Sequence, residues 1–173
     1  MRILLLSQWF NPEPAFKGLA FARELVRRGH EVEVLTGFPN YPGGKLYDGY
    51  RVRLLQRETM EGIPVIRTPL YPSHDKSGLR RFLNYASFAT SAALWGPLLV
   101  KRADVCYVYH PPGTIGMPAL ALRALRIELR YDPLLCDPVE VWHKNTFHGL
   151  ARRCDLHLNS ALHHHHRGTN YAR

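Results

Sequence analysis

The segment Phe16-Lys17-Gly18 is the first place where residue types and spacing suggest chemistry. It follows an apolar run and a polar, proline-rich loop, and it precedes a predicted helix. A glycine there lets backbone N–H groups approach a phosphate, the helix N-terminus favours negative charge, and Lys17 adds a cation. Lys17 and Gly18 are therefore candidate phosphate-binding residues, although spacing alone favours a tight turn with a solvated lysine.

The glycine-rich signatures of two large nucleotide-binding classes are missing from the sequence. There is no G-x-G-x-x-G, which weakens a dinucleotide-binding interpretation, and no G-x-x-x-x-G-K-[ST], which argues against an ATPase of the P-loop type. An unrelated Rossmann-like nucleotide-binding protein remains an alternative, and tight dinucleotide binding by the chain would favour it.

A histidine stands at the predicted end of a late strand, in Tyr109-His110-Pro111-Pro112. In doubly wound sheets the carboxyl ends of the strands face the cleft where ligands bind. A histidine, whose usual pKa is near neutrality, can act there as a base or bind a hydroxyl group. His110 is the candidate catalytic residue, and a structural histidine that caps the next helix is an equal alternative.

Aromatic and turn-forming residues alternate in Gly37-Phe38-Pro39-Asn40-Tyr41-Pro42. Aromatic rings held on a loop can stack on a sugar or line a groove. A turn-rich loop that packs its own rings gives the same pattern. The composition of the segment does not separate these two interpretations.

The chain carries a basic surplus, with a net charge of +9 and a pI near 9.8. Such charge favours an anionic partner. A basic segment, Arg80-Arg81-Phe82, begins a long apolar helix and follows Tyr71-Pro72-Ser73-His74-Asp75-Lys76. This helix start could lie against an anionic bilayer. A basic helix start that is only solvated is the alternative. We expect no nucleic-acid partner, because the charge is spread along the chain without a recognised motif.

Cysteine and histidine usage predicts neither disulfides nor a metal site. The three cysteines, Cys106, Cys136 and Cys154, are widely spaced and form no C-x-x-C, which indicates a reduced, cytoplasmic compartment. The tract at 163–166 is four histidines without cysteine or carboxylate partners at fixed spacing, which makes a weak metal site.

The elements that must position these residues follow an α/β pattern. Residues 3–6 form a continuous apolar run, which is typical of a central parallel strand, and a predicted helix and strand complete a right-handed βαβ unit. The predicted strands are 3–6, 32–35, 52–58, 63–67, 105–109 and 127–131, and the predicted helices are about 16–28, 79–100 and 115–125.

The longest predicted helix, 79–100, is apolar enough to raise a membrane-spanning interpretation. Asn84, Ser87 and Ser91 form a polar stripe on one face, and Gly96 and Pro97 interrupt the apolar part, so we reject that interpretation. The chain of 173 residues suffices for one α/β domain and not for two. We predict a Rossmann-like domain over 1–132 and a divergent, loosely ordered tail over 133–173, where no helical or strand period persists.

Five motifs in chain order resemble bacterial family-4-type glycosyltransferases with the GT-B fold, of the subgroup that builds colanic-acid and O-antigen type polysaccharides. Ser7-Gln8-Trp9-Phe10-x-Pro12-Glu13-Pro14 is similar to the family's opening S-Q-[YW]-F-x-P-E. The other matching segments are 25–32, 37–42, 70–75 and 107–112. The likeness ends near Arg126, and after Tyr131-Asp132 the family's Gln-Asp-Leu-Trp-Pro type segment does not follow.

The resemblance implies the N-terminal, acceptor-binding half of a two-domain enzyme. Its acceptor would be a lipid-linked or saccharide molecule, and the C-terminal half would bind a nucleotide-sugar, which is a substrate and not a cofactor. By position, Lys17 and Gly18 would contact the donor phosphates and His110 would line the acceptor cleft, with no bound metal. We expect no catalysis by this chain alone, because the donor half supplies many of the transition-state contacts.

Two arrangements are compatible with this expectation. A separate donor-domain chain could complete the enzyme, or the chain could be a non-catalytic module that binds a sugar or lipid acceptor. A glycosyltransfer assay with and without a donor domain distinguishes them. The expected location is cytoplasmic, with peripheral contact at the inner membrane.

Overall fold

The computed structural model describes residues 1–73, 77–109 and 113–124 with their side chains, and residues 128–131 by their backbone. The strands in these residues are β1 (Arg2–Ser7), β2 (Glu31–Gly37), β3 (Gln56–Met60), β4 (Ile63–Thr68), β5 (Val105–Tyr109) and β6 (Glu128–Tyr131). The helices are α1 (Leu19–Arg27), α2 (Gly78–Leu99) and α3 (Gly116–Arg123), the last preceded by a 3-10 turn at Gly113–Ile115.

The six strands form one sheet in the order β3-β4-β2-β1-β5-β6, and only β3 is antiparallel to its neighbour. The predicted α/β class with a Rossmann-like sheet is confirmed. Because parallel strands share a direction, the five parallel strands end at one edge of the sheet, at Ser7, Gly37, Thr68, Tyr109 and Tyr131. We call this edge the carboxyl edge.

Successive leucines of β1 point to opposite faces of the sheet and supply both halves of the core. Leu4 and Leu6 belong to a buried cluster that includes Phe88 of α2. Leu5 belongs to a second cluster that includes Ala22 of α1. A central strand with helices on both faces needs apolar side chains at every position, which explains the continuous apolar run. Each fully buried leucine contributes about 1.5–3 kcal/mol to stability.

Helix α1 begins three residues later than predicted, because a side chain from the preceding loop caps it. The N–H of Leu19 donates to Oδ1 of Asn11 at 2.7 Å. The helix ends just before Gly29, whose φ of +83° is the left-handed conformation that commonly follows a helix. Residues 16–18 therefore belong to the loop.

The predicted hairpin of β3 and β4 is confirmed, with its first strand displaced along the chain. β3 is predicted at 52–58 and lies at Gln56–Met60. The turn consists of Glu61 and Gly62, both with positive φ, and such a two-residue turn fixes the pairing of Met60 with Ile63. The strand therefore extends to Met60, directly before the turn. The hydrophobic pattern of residues 52–58 does not reveal this position of the strand end.

Helix α2 presents its predicted polar stripe to the loop after β4. Asn84 donates to the carbonyl oxygen of Tyr71, the N–H of Tyr71 donates to Ser87, and Ser91 donates to the carbonyl oxygen of Pro69. The stripe thus supplies hydrogen-bond partners for backbone groups of this loop. In the described part of the chain, no helix combines the length and the apolar character that a membrane crossing requires.

The predicted division of the chain at Asp132 stays a prediction. Residues 133–173, which include the histidine tract at 163–166, lie outside the described residues. The same holds for 74–76 of the basic segment and for His110.

Candidate functional site

Three loops meet at the carboxyl edge. They are residues 8–18 after β1, the segment that starts at Phe38 after β2, and residues 69–73 after β4. Ligands of doubly wound sheets bind outside this edge. β5 also ends there, at Tyr109, but His110 lies outside the described residues, so its catalytic role stays a prediction.

Gly18 is buried at the start of α1, and its lack of a side chain is a structural requirement. A Cβ at this position would lie 2.5 Å from Oδ1 of Asn11 and 3.0 Å from the carbonyl oxygen of Ala15. Because the same Asn11 oxygen caps Leu19, a side chain at position 18 would displace the cap. The tight turn that the spacing favours is therefore observed, and a phosphate contact at Gly18 stays a prediction.

Lys17 is half-buried beside the first turn of α1. Its Nζ lies 4.9 Å from the centroid of the Phe21 ring, a cation–π contact. In this turn the N–H groups of Ala20 and Phe21 have no intrahelical acceptor, and no acidic side chain is present. The ammonium group and the helix dipole therefore add to one positive potential at the carboxyl edge.

A buried arginine connects the loops to the sheet. The side chain of Arg67, at the carboxyl end of β4, is fully buried and donates to three oxygens. These are Oε1 of Glu58 at 2.5 Å, the carbonyl oxygen of Gly37 at 2.8 Å and the carbonyl oxygen of Asn11 at 2.5 Å. The guanidinium also lies 4.9 Å from the centroid of the Tyr50 ring. Arg67 thus joins β3, the end of β2 and the loop after β1, and we call this set the Arg67 clamp.

A buried carboxyl group cross-links the first two loops. Oε2 of Glu13 accepts the N–H groups of Asn40 and Tyr41, each at 2.8 Å. Its Oε1 is buried and has no hydrogen-bond partner among the described residues. Burial raises the pKa of Glu13 to about 7, against the lowering effect of the backbone hydrogen bonds and of Arg67.

Asn84 connects α2 to the same loops. Its Oδ1 accepts a hydrogen bond from Nε2 of Gln8 at 2.7 Å. Its Nδ2 donates to Oδ1 of Asn40 at 3.2 Å and to the carbonyl oxygen of Tyr71. Gln8, Asn40 and Asn84 are all almost completely buried. These buried hydrogen bonds hold the loops in one arrangement.

The aromatic loop after β2 packs one ring in the interior and leaves another half-buried, and a contact with a sugar stays a prediction. Phe38 is fully buried in the interior, so its ring is not available for a ligand. Tyr41 is half-buried and stacks on Trp9, with ring centroids 4.5 Å apart and an interplanar angle of 26°. Trp9 also contacts Tyr85 of α2 edge-on at 6.5 Å. We call Trp9, Tyr41 and Tyr85 the aromatic cluster.

Three residues that shape this edge receive no individual role from the sequence, although Gln8 and Glu13 belong to the opening motif. Glu13 looks like a solvent-exposed residue between two prolines, and Gln8 like a loop residue after a strand. Arg67 carries a usable signal, because a charged side chain near the end of an otherwise apolar strand must be paired when it is buried. Its three acceptors, however, are 9 to 56 positions away in the sequence.

A cavity of about 320 Å³ opens at the opposite, amino-terminal edge of the sheet. Its lining includes Arg2, His30, Glu33 and Lys101. Glu33 already accepts the N–H of Lys101 at 2.8 Å. We do not take this cavity as the functional site, because it holds none of the predicted residues and lies away from the edge where such sheets bind ligands.

The residues with described side chains contain no group of three or more His, Cys, Asp or Glu that could hold a metal ion. The expected metal-free transfer stays a prediction.

The family described as glycosyl transferase 4-like domain matches residues 19–167. The chain belongs to this family. The match starts at the first residue of α1 and continues beyond Asp132, into a segment that contains none of the five motifs. The recognised motifs therefore understate how far along the chain the family relationship extends.

A relative of known name agrees with a glycosyltransferase domain. The chain is 35% identical over 107 residues to WcaI of Escherichia coli K12, named as a colanic acid biosynthesis glycosyl transferase; this covers 59% of the chain and 25% of WcaI. The chain therefore spans about a quarter of that relative's length. The predicted resemblance to the N-terminal domain of a family-4-type glycosyltransferase is confirmed.

The structural comparisons concern the fold. The catalytic domain of Arabidopsis thaliana starch synthase IV, solved with ADP and acarbose, matches with a TM-score of 0.50 at 15% identity, over 75% of this chain and 32% of that one. The C-terminal domain of a Pyrococcus furiosus hydrogenase matches with a TM-score of 0.45 at 14% identity, over 76% of this chain and 90% of that one.

Stability should respond to pH through Glu13. Its folded-state pKa of about 7 exceeds the usual 4.5, so the folded chain binds the proton more tightly than the unfolded chain. The resulting stabilisation is complete below pH 4.5 and is lost as the pH rises through 7. Glutamine does not titrate, so Glu13→Gln lacks this loss. As the pH rises from below 4.5 to above 7, the free energy of unfolding of the variant should therefore increase by about 3 kcal/mol relative to that of the wild type.

Urea unfolding at several pH values measures this difference directly. Glu31→Gln, which removes an exposed carboxylate of the same type, is the control. A wild-type-minus-variant difference that is independent of pH for Glu13→Gln would contradict the assignment of a raised pKa.

Proposed function

We propose that this domain binds the acceptor of a glycosyl transfer at its carboxyl edge and presents it to a nucleotide-sugar held by a donor domain. The single observation that supports the proposal most strongly is the arrangement of this edge. A positive helix start, a half-buried aromatic cluster and buried hydrogen-bonding side chains lie on three loops that the Arg67 clamp and Asn84 hold together. The product would belong to surface polysaccharide synthesis, as the name of the relative WcaI suggests for that protein.

Lys17 and Gly18 are proposed to contact the donor phosphates. The N–H groups of Ala20 and Phe21 point out of the helix start, and Lys17 is held at the same turn by its contact with the Phe21 ring. A phosphate at this point would receive backbone hydrogen bonds and a cation together. Gly18 acts by allowing the Asn11 cap, which fixes where this turn begins.

His110 is proposed to bind or deprotonate the acceptor hydroxyl group. Such a role needs a group near the attacked carbon of the donor sugar, within hydrogen-bond reach of the acceptor oxygen. The nucleotide leaving group would be stabilised on the opposite side by the donor domain and by Lys17. A chain without that domain would bind the acceptor without transferring sugar.

A peripheral membrane contact is proposed at the start of α2. Leu79, Phe82 and Leu83 are exposed there, beside Arg80 and Arg81. Apolar side chains flanked by arginine suit the interface of an anionic bilayer. Since α2 begins in the loop that leaves the carboxyl edge, a lipid-linked acceptor would reach the edge from this side.

Sugar transfer should require both halves of the enzyme. The purified chain is incubated with nucleotide-sugars and a lipid-linked sugar acceptor, alone and with the separately expressed C-terminal part of WcaI. We expect transfer only in the mixture. Gly18→Ala should lower kcat/KM by about tenfold, because the added Cβ displaces the Asn11 cap.

Gly43→Ala is the matched control for this assay, because a Cβ at Gly43 meets no atom within 4 Å and should leave the rate unchanged. Transfer by the chain alone would contradict the need for a donor domain. No transfer from any nucleotide-sugar in the mixture would count against the enzymatic function and favour a binding module.

Vesicle binding tests the proposed membrane contact. The chain should co-sediment with vesicles of equal parts phosphatidylglycerol and phosphatidylcholine, and less with phosphatidylcholine alone. Phe82→Ser should lower the partition coefficient about tenfold, since it removes apolar surface from the bilayer. Leu98→Ser, at a still more exposed apolar position at the other end of α2, is the control. Equal binding by the two variants would contradict the proposed contact.

A further inference from the structure

The aromatic cluster joins three separate elements at the carboxyl edge. Trp9 comes from the loop after β1, Tyr41 from the loop after β2, and Tyr85 from α2. All three side chains are half-buried, unlike Phe38 of the same loop, which fills the interior completely. Half-burial leaves part of each ring exposed, so this cluster combines fixed positions with access from solvent.

The positions of the rings are fixed from several directions. The hydroxyl of Tyr47 donates to the carbonyl oxygen of Tyr41 at 2.8 Å, and Oε2 of Glu13 accepts the N–H of Tyr41. On the other side Asn84, the residue before Tyr85, binds Gln8, the residue before Trp9. A binding surface that is already ordered loses little conformational entropy when a ligand arrives.

The surroundings of the cluster favour a ligand that is both apolar and rich in hydroxyl groups. Each ring of the cluster carries a polar group beside its apolar faces, the phenol hydroxyl of Tyr41 and Tyr85 and the indole N–H of Trp9. A sugar ring offers one face of C–H bonds for an aromatic ring and hydroxyl groups at its rim for such polar groups. An isoprenoid chain offers them no hydrogen bond.

We propose that Trp9, Tyr41 and Tyr85 form the subsite for a neutral pyranose ring of the acceptor, with the C–H face of the sugar against the rings. This rests on the proposed acceptor-binding function and adds the chemical class of the group that is bound. The lipid part of a lipid-linked acceptor would lie elsewhere, along the exposed apolar residues of α2.

Binding of simple glycosides tests the subsite. The full chain is titrated with methyl β-D-glucopyranoside, methyl β-D-galactopyranoside and methyl α-L-fucopyranoside, and binding is followed by saturation-transfer NMR. At least one glycoside should bind, with the strongest transfer to C–H protons of one ring face. Tyr85→Ala should weaken binding about tenfold, and Tyr85→Phe should keep most of it because it retains the ring.

Two further variants make the result interpretable. Tyr41→Ala tests the cluster independently if Tyr85→Ala does not fold, as judged by circular dichroism and thermal unfolding. Tyr71→Ala removes an exposed ring at the same edge outside the cluster and should bind like the wild type.

Each outcome separates the subsite from the broader function. Glycoside binding that is equal in Tyr85→Ala, Tyr41→Ala and Tyr71→Ala would overturn the subsite, and the transfer assay would still decide the acceptor-binding function. Farnesol binding that depends on Tyr85, without glycoside binding, would also overturn it in favour of a lipid. The absence of binding by every glycoside would reject the subsite, and it would count against acceptor binding if the two-part transfer assay failed as well.

Discussion

The arrangement of the carboxyl edge depends on the Arg67 clamp. A buried guanidinium must have partners for its N–H groups, because an uncompensated buried charge costs several kcal/mol. Arg67 finds these partners in Glu58, Gly37 and Asn11, which lie on three different segments. The planar guanidinium donates hydrogen bonds in fixed directions, so its oxygen acceptors must lie at defined positions. These three hydrogen bonds therefore fix the segments relative to one another.

The consequences extend from the clamp to every proposed binding group. The carbonyl oxygen of Asn11 binds Arg67, while its Oδ1 caps α1 and requires a glycine at position 18. The carbonyl oxygen of Gly37 binds the same guanidinium, and the loop that follows is held by the carboxyl group of Glu13. Phosphate-binding and aromatic candidates are thus built on one polar framework, although they are far apart in the sequence.

Much of the fold is predictable because its determinants are local. The continuous apolar run at residues 3–6 and the helix 79–100 can each be recognised in a short window of the sequence. The polar stripe at Asn84 is visible in the sequence, but its hydrogen-bond partners could not be inferred. Hydrogen bonds such as Gln8 to Asn84, 76 positions apart, depend on which loops the sheet brings together. For the same reason Glu13 looks exposed in the sequence and is buried in the structure. The GT-B resemblance identified the family, whose match also includes a segment where no motif is recognised.

Amide hydrogen exchange of Arg67→Lys tests the central claim most directly. Lysine keeps the charge but cannot reach three acceptors with a planar group. The amides of Leu19, Asn40 and Tyr41 should exchange at least about tenfold faster, while those of β5 should change little. Arg57→Lys, on the exposed face of neighbouring β3, should leave all of them unchanged. A uniform acceleration across the sheet, or none at the loops, would contradict the account.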